Sequence, residues 1–352
     1  MGSRESVAAT NQTHIDKSEK PASMAATDIT MVEAINLALA RAMEQDENVV
    51  MLGEDIATNG GVFRATLGLK ERFGYKRVMD TPLAEALIAG ISVGMASQGL
   101  KPVAEIQFMG FMYAAIEHLV SHAARLRQRT RGRLHCPMVM RIPYGGGIHA
   151  PEHHSESMES MLAHVPGLRV VTASSPARAY GLLLAAIESP DPVIFLEPKR
   201  LYRISRQPVI DDGQALPLDV CFTLREGSDI TLISWGAMIY ETLQAADRLA
   251  RENIHAEVID VATLNPLDDD TILTSIEKTG CCVVIEEAPK HCGFGAEISA
   301  RIAEQGLYLL RAPVARVSGL DVPMPYFRQE TLYMPDEGDI YQAVKKTLEQ
   351  IT

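Results

Sequence analysis

The chain has 352 residues, 47% of them hydrophobic and 22% charged, with a formal net charge of −12 and a pI near 5.3. That length exceeds one ordinary domain and suits two, each large enough to bury its own core. The acidic balance argues against a nucleic-acid partner, whose phosphates call for a concentrated basic face, and no apolar run approaches the roughly 20 residues of a membrane helix.

Residues 1–27 are polar, with no apolar stretch for secretion and little arginine for a transit peptide. They read as an unstructured tail, part of which need not be native. From Ile29 the apolar residues Met31, Ile35, Leu39 and Met43 follow a helical period, and Val49, Val50, Met51 and Leu52 read as a strand. Val78 and Met79 lead into a helix over 82–97, and then come a strand over 102–106, a helix over 113–129 and a strand over 137–142. A strand over 169–172, a helix over 177–187 and an apolar run over 192–196 continue the pattern. Helices and strands alternating at this spacing predict a parallel α/β sheet over 28–200. Residues 201–227 have no clear period and contain Pro208 and Pro217, so they read as an interdomain connection. A second, smaller α/β unit follows over 228–352, with strands over 230–234, 256–261 and 282–286 and helices over 239–252, 270–279 and 296–305.

The cysteines Cys136, Cys221, Cys281, Cys282 and Cys292 are odd in number and lack C-x-x-C spacing, which suggests neither a disulfide framework nor a zinc site and points to a reducing compartment. Arg125, Arg127, Arg129, Arg131 and Arg133 alternate at every second residue, which could stripe a strand, but the segment comes after a helical apolar pattern and reads as a solvated helix end or subunit contact rather than a phosphate site.

Two segments can carry chemistry. Pro82 suits the start of a helix, Asp80 or Thr81 can cap it, and Glu85 then falls in the first turn, where the helix dipole favours a carboxylate. The plain reading is a solvated end charge. Ala86, Ala89, Gly90 and Gly94, however, form a small-residue stripe that another helix can approach, and an acid on such a seam is a candidate site. The second segment, 144–157, follows a strand at the position where α/β folds keep their sites. It holds His149, His153 and His154; no regular element fixes them for a metal, so a proton-handling histidine is the better functional reading, against flexible surface histidines. Gly145, Gly146 and Gly147 lack the Lys-Ser/Thr of a phosphate loop. From the residues alone this is an α/β enzyme with a carboxylate and a histidine.

At these residues the chain resembles the E1 β subunits of 2-oxo acid dehydrogenase complexes, of the pyruvate and branched-chain types. The resemblance rests on Gly53-Glu54-Asp55, Gly60-Gly61-Val62-Phe63-Arg64-Ala65-Thr66, Asp80-Thr81-Pro82-Leu83-Ala84-Glu85, Glu105-Ile106-Gln107-Phe108, His154-Ser155, Pro166-Gly167-Leu168 and Asp191-Pro192-Val193-Ile194-Phe195. It implies a thiamine-diphosphate-type pyrimidine-binding domain followed by a transketolase C-terminal-like domain, assembled with α subunits into an α2β2 heterotetramer. Glu85 matches the glutamate that hydrogen-bonds the aminopyrimidine N1′ of the cofactor, and Leu83, Gln107 and Phe111 match positions lining the pyrimidine pocket. His154 matches the histidine implicated in reductive acylation of the lipoyl group on the E2 partner; His153 is its unmatched neighbour. Met138, Ala186, Ser189 and Asp191 match a loop that holds K+ in family members, mainly by backbone carbonyls.

The family's Mg²⁺ and diphosphate motif, Gly-Asp-Gly followed by Asn-Asn, is missing, so the resemblance implies that Mg²⁺ and the diphosphate are held by the α subunit. The same absence argues against 1-deoxyxylulose-5-phosphate synthase and transketolase, which carry that domain on one chain. Pyruvate is the favoured 2-oxo acid, ahead of branched-chain substrates, with acetoin third. A noncatalytic scaffold subunit would have no need for Glu85 and His154 together. The implied location is the bacterial cytoplasm, or the mitochondrial matrix of a eukaryote.

Overall fold

The computed structural model describes residues 25–351, so most of the expected tail lies outside the described residues. The tail reading fails at its end, because Thr27–Ile29 is a strand paired antiparallel with Gln207–Val209. Thr30 then caps the helix Met31–Gln45: its hydroxyl accepts the Glu33 N–H at 3.4 Å while the Glu33 carboxylate accepts the Thr30 N–H at 2.7 Å. The buried face of this helix, including Ile35, Leu39 and Met43, packs on the helix Pro176–Glu188, which Ser175 caps and Pro176 opens.

These helices cover one face of a seven-stranded sheet ordered Thr263–Asn265, Arg169–Thr172, Val193–Pro198, Val139–Tyr144, Lys101–Glu105, Val49–Gly53, Val78–Asp80. All neighbours are parallel except the first pair. The central strands Val139–Tyr144 and Val193–Pro198 are buried throughout, which explains their continuous apolar runs. A five-stranded sheet follows, ordered Ala315–Gly319, Cys282–Pro289, Ile230–Ser234, Ala256–Asp260, Phe222–Arg225, with only the last strand antiparallel. One hydrophobic cluster runs from Ile142 and Ile194 through Trp235 and Ile259 to Val284 and Phe294, so the two sheets share a core. No helix among the described residues is long and apolar enough to cross a membrane.

Several expectations need correction. The helix expected over 113–129 is instead a string of short turns: 3-10 at Met109–Ala114, a π-turn at His118–His122, 3-10 at Ala123–Arg125 and one α-turn at Leu126–Arg129. The connection over 201–227 contains the strands Gln207–Val209 and Phe222–Arg225. The helix placed over 82–97 begins at Glu85, and neither Asp80 nor Thr81 caps it. Asp80 turns the other way and accepts the Ala57 N–H at 2.7 Å and the Thr58 hydroxyl at 2.5 Å.

The largest fully buried side chain is Arg141, in the middle of the first sheet. It bonds Glu197 through Nε and Nη2 at 2.7 and 2.9 Å and Glu105 through Nη1 at 2.8 Å, while the Tyr202 hydroxyl donates to Glu197 at 2.5 Å. Each buried charge thus has an opposite partner, the condition under which such charges persist in a core.

Candidate active site

The parallel strands of the first sheet end together, with Gly53 beside Asp80 and Glu105, Glu105 beside Arg141, and Tyr144 beside Pro198. The loops leaving this edge carry Glu54, the turn before Glu85, the segment 106–114, the histidine loop and Lys199, in the position expected for sites of α/β folds.

Glu85 is the first residue of its helix and half-buried. The preceding turn is tied down by the Thr81 N–H, which donates to Gly53 O at 2.9 Å, and by the Ala84 N–H, which donates to the Glu54 carboxylate. Glu54 is buried, and its Oε1 has no hydrogen-bond partner among the described residues. Burial, reinforced by the charges of Glu85, Asp55 and Glu105, pushes its carboxyl above the usual range. Two carboxylates therefore face each other where sequence reading saw one. Leu83 is 82% exposed and a side chain added at Gly94 would meet open space among the described residues, whereas one at Gly90 would meet the His118 ring at 3.3 Å.

His154 packs edge-on against Phe108, with ring centroids 4.6 Å apart, and against Phe111 at 5.3 Å. Its Nδ1 is buried with no hydrogen-bond partner among the described residues, so aromatic packing sets the ring's orientation. His153 is more exposed and leans on Phe111 and Tyr113. The Met158 N–H reaches Met109 Sδ at 2.9 Å, and a Cβ at Gly110 would collide with the His153 carbonyl, so glycine is required for this close approach. Phe111 and His154 are thus brought together. Gln107 is half-buried, immediately before Phe108.

The histidine loop is held from the second sheet. Glu287, on Cys282–Pro289, accepts the Gly146 N–H at 2.5 Å and the Ser157 hydroxyl at 3.1 Å. Glu330 accepts the Gly147 and His149 N–H groups, the latter at 3.1 Å, and pairs with His149 Nδ1 at 2.7 Å. The triglycine run is therefore a backbone donor strip for carboxylates of the chain itself. At the root of the loop Trp235 Nε1 donates to Glu159 at 3.0 Å, and burial pushes the Glu159 carboxyl up to about 7. These partners stand 76 to 183 positions apart, and no local signal in the sequence joins them.

Met138, Ala186 and Ser189 are buried at the opposite end of the sheet, with Asp191 half-buried. The Met138 carbonyl accepts the Val193 N–H at 2.9 Å and the Asp191 carbonyl accepts the Ser189 hydroxyl at 2.9 Å, leaving each oxygen a second lone pair. Arg127 bonds the Asp191 carboxylate at 2.5 Å, which gives one member of the arginine cluster a structural partner. Among the described residues no group of three or more His, Cys, Asp or Glu side chains forms a metal site.

Models of two known domains match the chain: transketolase, pyrimidine binding domain, over residues 27–205, and transketolase, C-terminal domain, over 221–340. The pyruvate dehydrogenase E1 component subunit beta of Acholeplasma laidlawii is 46% identical over 318 residues, covering 90% of this chain and 97% of the relative. The corresponding subunit of Bacillus subtilis is 44% identical over 321 residues, covering 91% and 99%. Among solved structures, a split gene transketolase described as an inactive beta4 tetramer superposes with a TM-score of 0.77, covering 92% of this chain and 100% of its own; at 23% identity that likeness speaks for the fold alone.

Proposed function

The chain belongs to the family of pyruvate dehydrogenase E1 β subunits, and from that premise we propose that it forms half of a thiamine-diphosphate site, shared with an α subunit, that oxidatively decarboxylates pyruvate and reductively acylates the lipoyl group of an E2 acyltransferase. The observation that carries the reading is that Glu85, opening its helix, and Phe111 and His154, in contact with each other, all lie on segments leaving one carboxyl edge of the first sheet.

The residues present fit the pyrimidine half of the cofactor: a half-buried carboxylate at a helix start, a half-buried aromatic ring, and an exposed Leu83 awaiting cover. Thiamine diphosphate, when bound, supplies a nucleophilic thiazolium carbon that adds to the 2-oxo carbon. Glu85 holds a proton at the pyrimidine N1′, with Leu83, Gln107 and Phe111 lining the ring's pocket. Glu54 fixes the turn that presents Glu85. His154, oriented by Phe108 and Phe111, delivers a proton to the dithiolane sulfur as the acyl group is transferred. Mg²⁺ and the diphosphate belong to the α subunit, completing an α2β2 assembly, and K+ is held by carbonyls of the loop containing Met138, Ala186, Ser189 and Asp191.

The test is a comparison of kcat/KM for pyruvate, 2-oxoisovalerate and acetoin with the pair reconstituted from this chain and an α subunit. Pyruvate is expected to lead. A lead by 2-oxoisovalerate would move the assignment to the branched-chain substrate, and no turnover of any 2-oxo acid would end it.

A further inference from the structure

A cavity of about 720 Å³ opens beside the histidine loop, whose Gly147, Ile148 and His149 help to line it. We infer that it is a binding site for a small organic monoanion, whose carboxylate bonds Lys199 and Arg200 and whose apolar remainder rests on Phe63, Ile148 and Met334.

Lys199 and Arg200 both line the cavity, and their Nζ and Nε atoms are buried with no hydrogen-bond partner among the described residues. Lys199 is only 3% exposed. The Arg200 guanidinium uses one N–H of Nη1 and one of Nη2 on Glu241, at 2.5 and 2.8 Å, and Nη2 also reaches Met238 Sδ at 3.4 Å, while its Nε–H is a buried donor left unused among the described residues. Glu287 and Glu330 attract Lys199 electrostatically but do not bond it, because both are occupied by N–H groups of the histidine loop. Burial pushes the Lys199 amine down to about 7, so a bound carboxylate would hold it in its charged form, and two buried nitrogen donors from consecutive residues are what a two-oxygen acceptor satisfies.

The rest of the lining sets the ligand class. Glu241, Glu330 and Asp336 balance Lys199, Arg200 and Arg203 in the lining, so no surplus of positive charge is left to hold a dianion such as hydrogen phosphate. Phe63, Ile148, Tyr202, Met334 and Pro335 give it an apolar wall, and its size is that of a small-molecule site. Lys199 and the histidine loop leave the same carboxyl edge as the proposed catalytic residues, but none of Glu85, Gln107, Phe111 and His154 lines this cavity. The Phe63 ring contacts Phe108 at 5.5 Å, Phe108 contacts His154 at 4.6 Å, and Lys199 Nζ stands 5.7 Å from the Phe108 centroid. A short carboxylate bound here would therefore press on the loop that carries the histidine.

The probes are butyrate and inorganic phosphate, titrated calorimetrically into the full chain without cofactor. Butyrate is expected to bind the wild-type chain, to lose at least about tenfold in affinity in Lys199→Met, as befits a lost charge-assisted bond, and to bind Glu85→Gln unchanged. Phosphate is expected not to bind. Absence of butyrate binding, equal binding by Lys199→Met, or phosphate binding as tight as butyrate would each overturn the inference. Should Lys199→Met fail to fold, Met334→Trp, which fills the cavity and keeps both cations, must abolish butyrate binding; retained binding overturns the site. Because Glu85→Gln disables the proposed catalysis and spares this cavity, the two proposals fail separately.

Discussion

Replacing Glu287 by leucine removes one carboxylate that serves two donors of the histidine loop, the Gly146 N–H and the Ser157 hydroxyl. Gly146, Ser157 and Glu287 are all buried, so water does not readily take the carboxylate's place. A buried donor left without an acceptor costs about 1–3 kcal/mol, so the loop in its present place would bear about 2–6 kcal/mol. Glu287→Gln keeps an acceptor oxygen and should cost about 1 kcal/mol. The leucine variant can relieve its cost by moving the loop toward solvent, and a shift of about 1 Å at His154 lowers a positioned step on the order of a hundredfold. The assay is reductive acetylation of a free lipoyl domain by the enzyme assembled with its α partner. Acyl transfer should fall at least about tenfold in Glu287→Leu and less than about threefold in Glu287→Gln. Wild-type acyl transfer in the leucine variant would refute the argument that this carboxylate holds the loop.

Further predictions follow from the same geometry. His154→Ala should depress acetylation of the lipoyl domain more than pyruvate-dependent reduction of an artificial electron acceptor; equal losses would make His154 a general positioning residue, and a selective loss in His153→Ala instead would shift the assignment by one position. Arg141→Met strands the buried carboxylates of Glu105 and Glu197 and should cost about 3–5 kcal/mol in urea unfolding at neutral pH, whereas a loss below about 1 kcal/mol would mean that the triad contributes little. Glu159 has its folded carboxyl raised from 4.5 to about 7, so its contribution to stability is present below pH 4.5 and is lost as pH rises through 7. That difference, 7 − 4.5, corresponds to about 3 kcal/mol by linkage, and Glu159→Gln should flatten the stability profile between those values; an unchanged profile would contradict the assignment.

What could be read from the sequence was local. The helix Met31–Gln45 and the strands Val49–Gly53, Val139–Tyr144 and Val193–Pro198 announce themselves because one buried stripe or two buried faces impose a period on neighbouring residues. The segment 113–129 misled because its apolar spacing is helical, while the backbone is broken into 3-10 and π turns to meet the histidine loop. Asp80 had the residue type of a cap but found the N–H groups of Ala57 and Thr58 instead. Thr263–Asn265 joins the first sheet from within the second half of the chain, and Thr27–Ile29 pairs about 180 positions away; such pairings leave no periodic trace. Glu85 and the histidine loop were candidates from the residues alone, resemblance to a family singled out His154 and gave both residues their roles, and the structure adds what surrounds them: Glu54 within electrostatic reach of the first, Phe108 and Phe111 packed on the second. Glu287, Glu330 and Lys199 carried no sequence signal, since a carboxylate or an amine becomes informative only when its burial and partners are known.

The central claim is that Glu85 activates a cofactor shared between two chains, and proton–deuterium exchange at the thiamine diphosphate C2 position measures that step directly. In the α2β2 enzyme, Glu85→Gln should bind cofactor and partner and yet slow exchange at least about tenfold. An exchange rate equal to that of the wild-type enzyme, in a correctly assembled Glu85→Gln variant, would contradict the account.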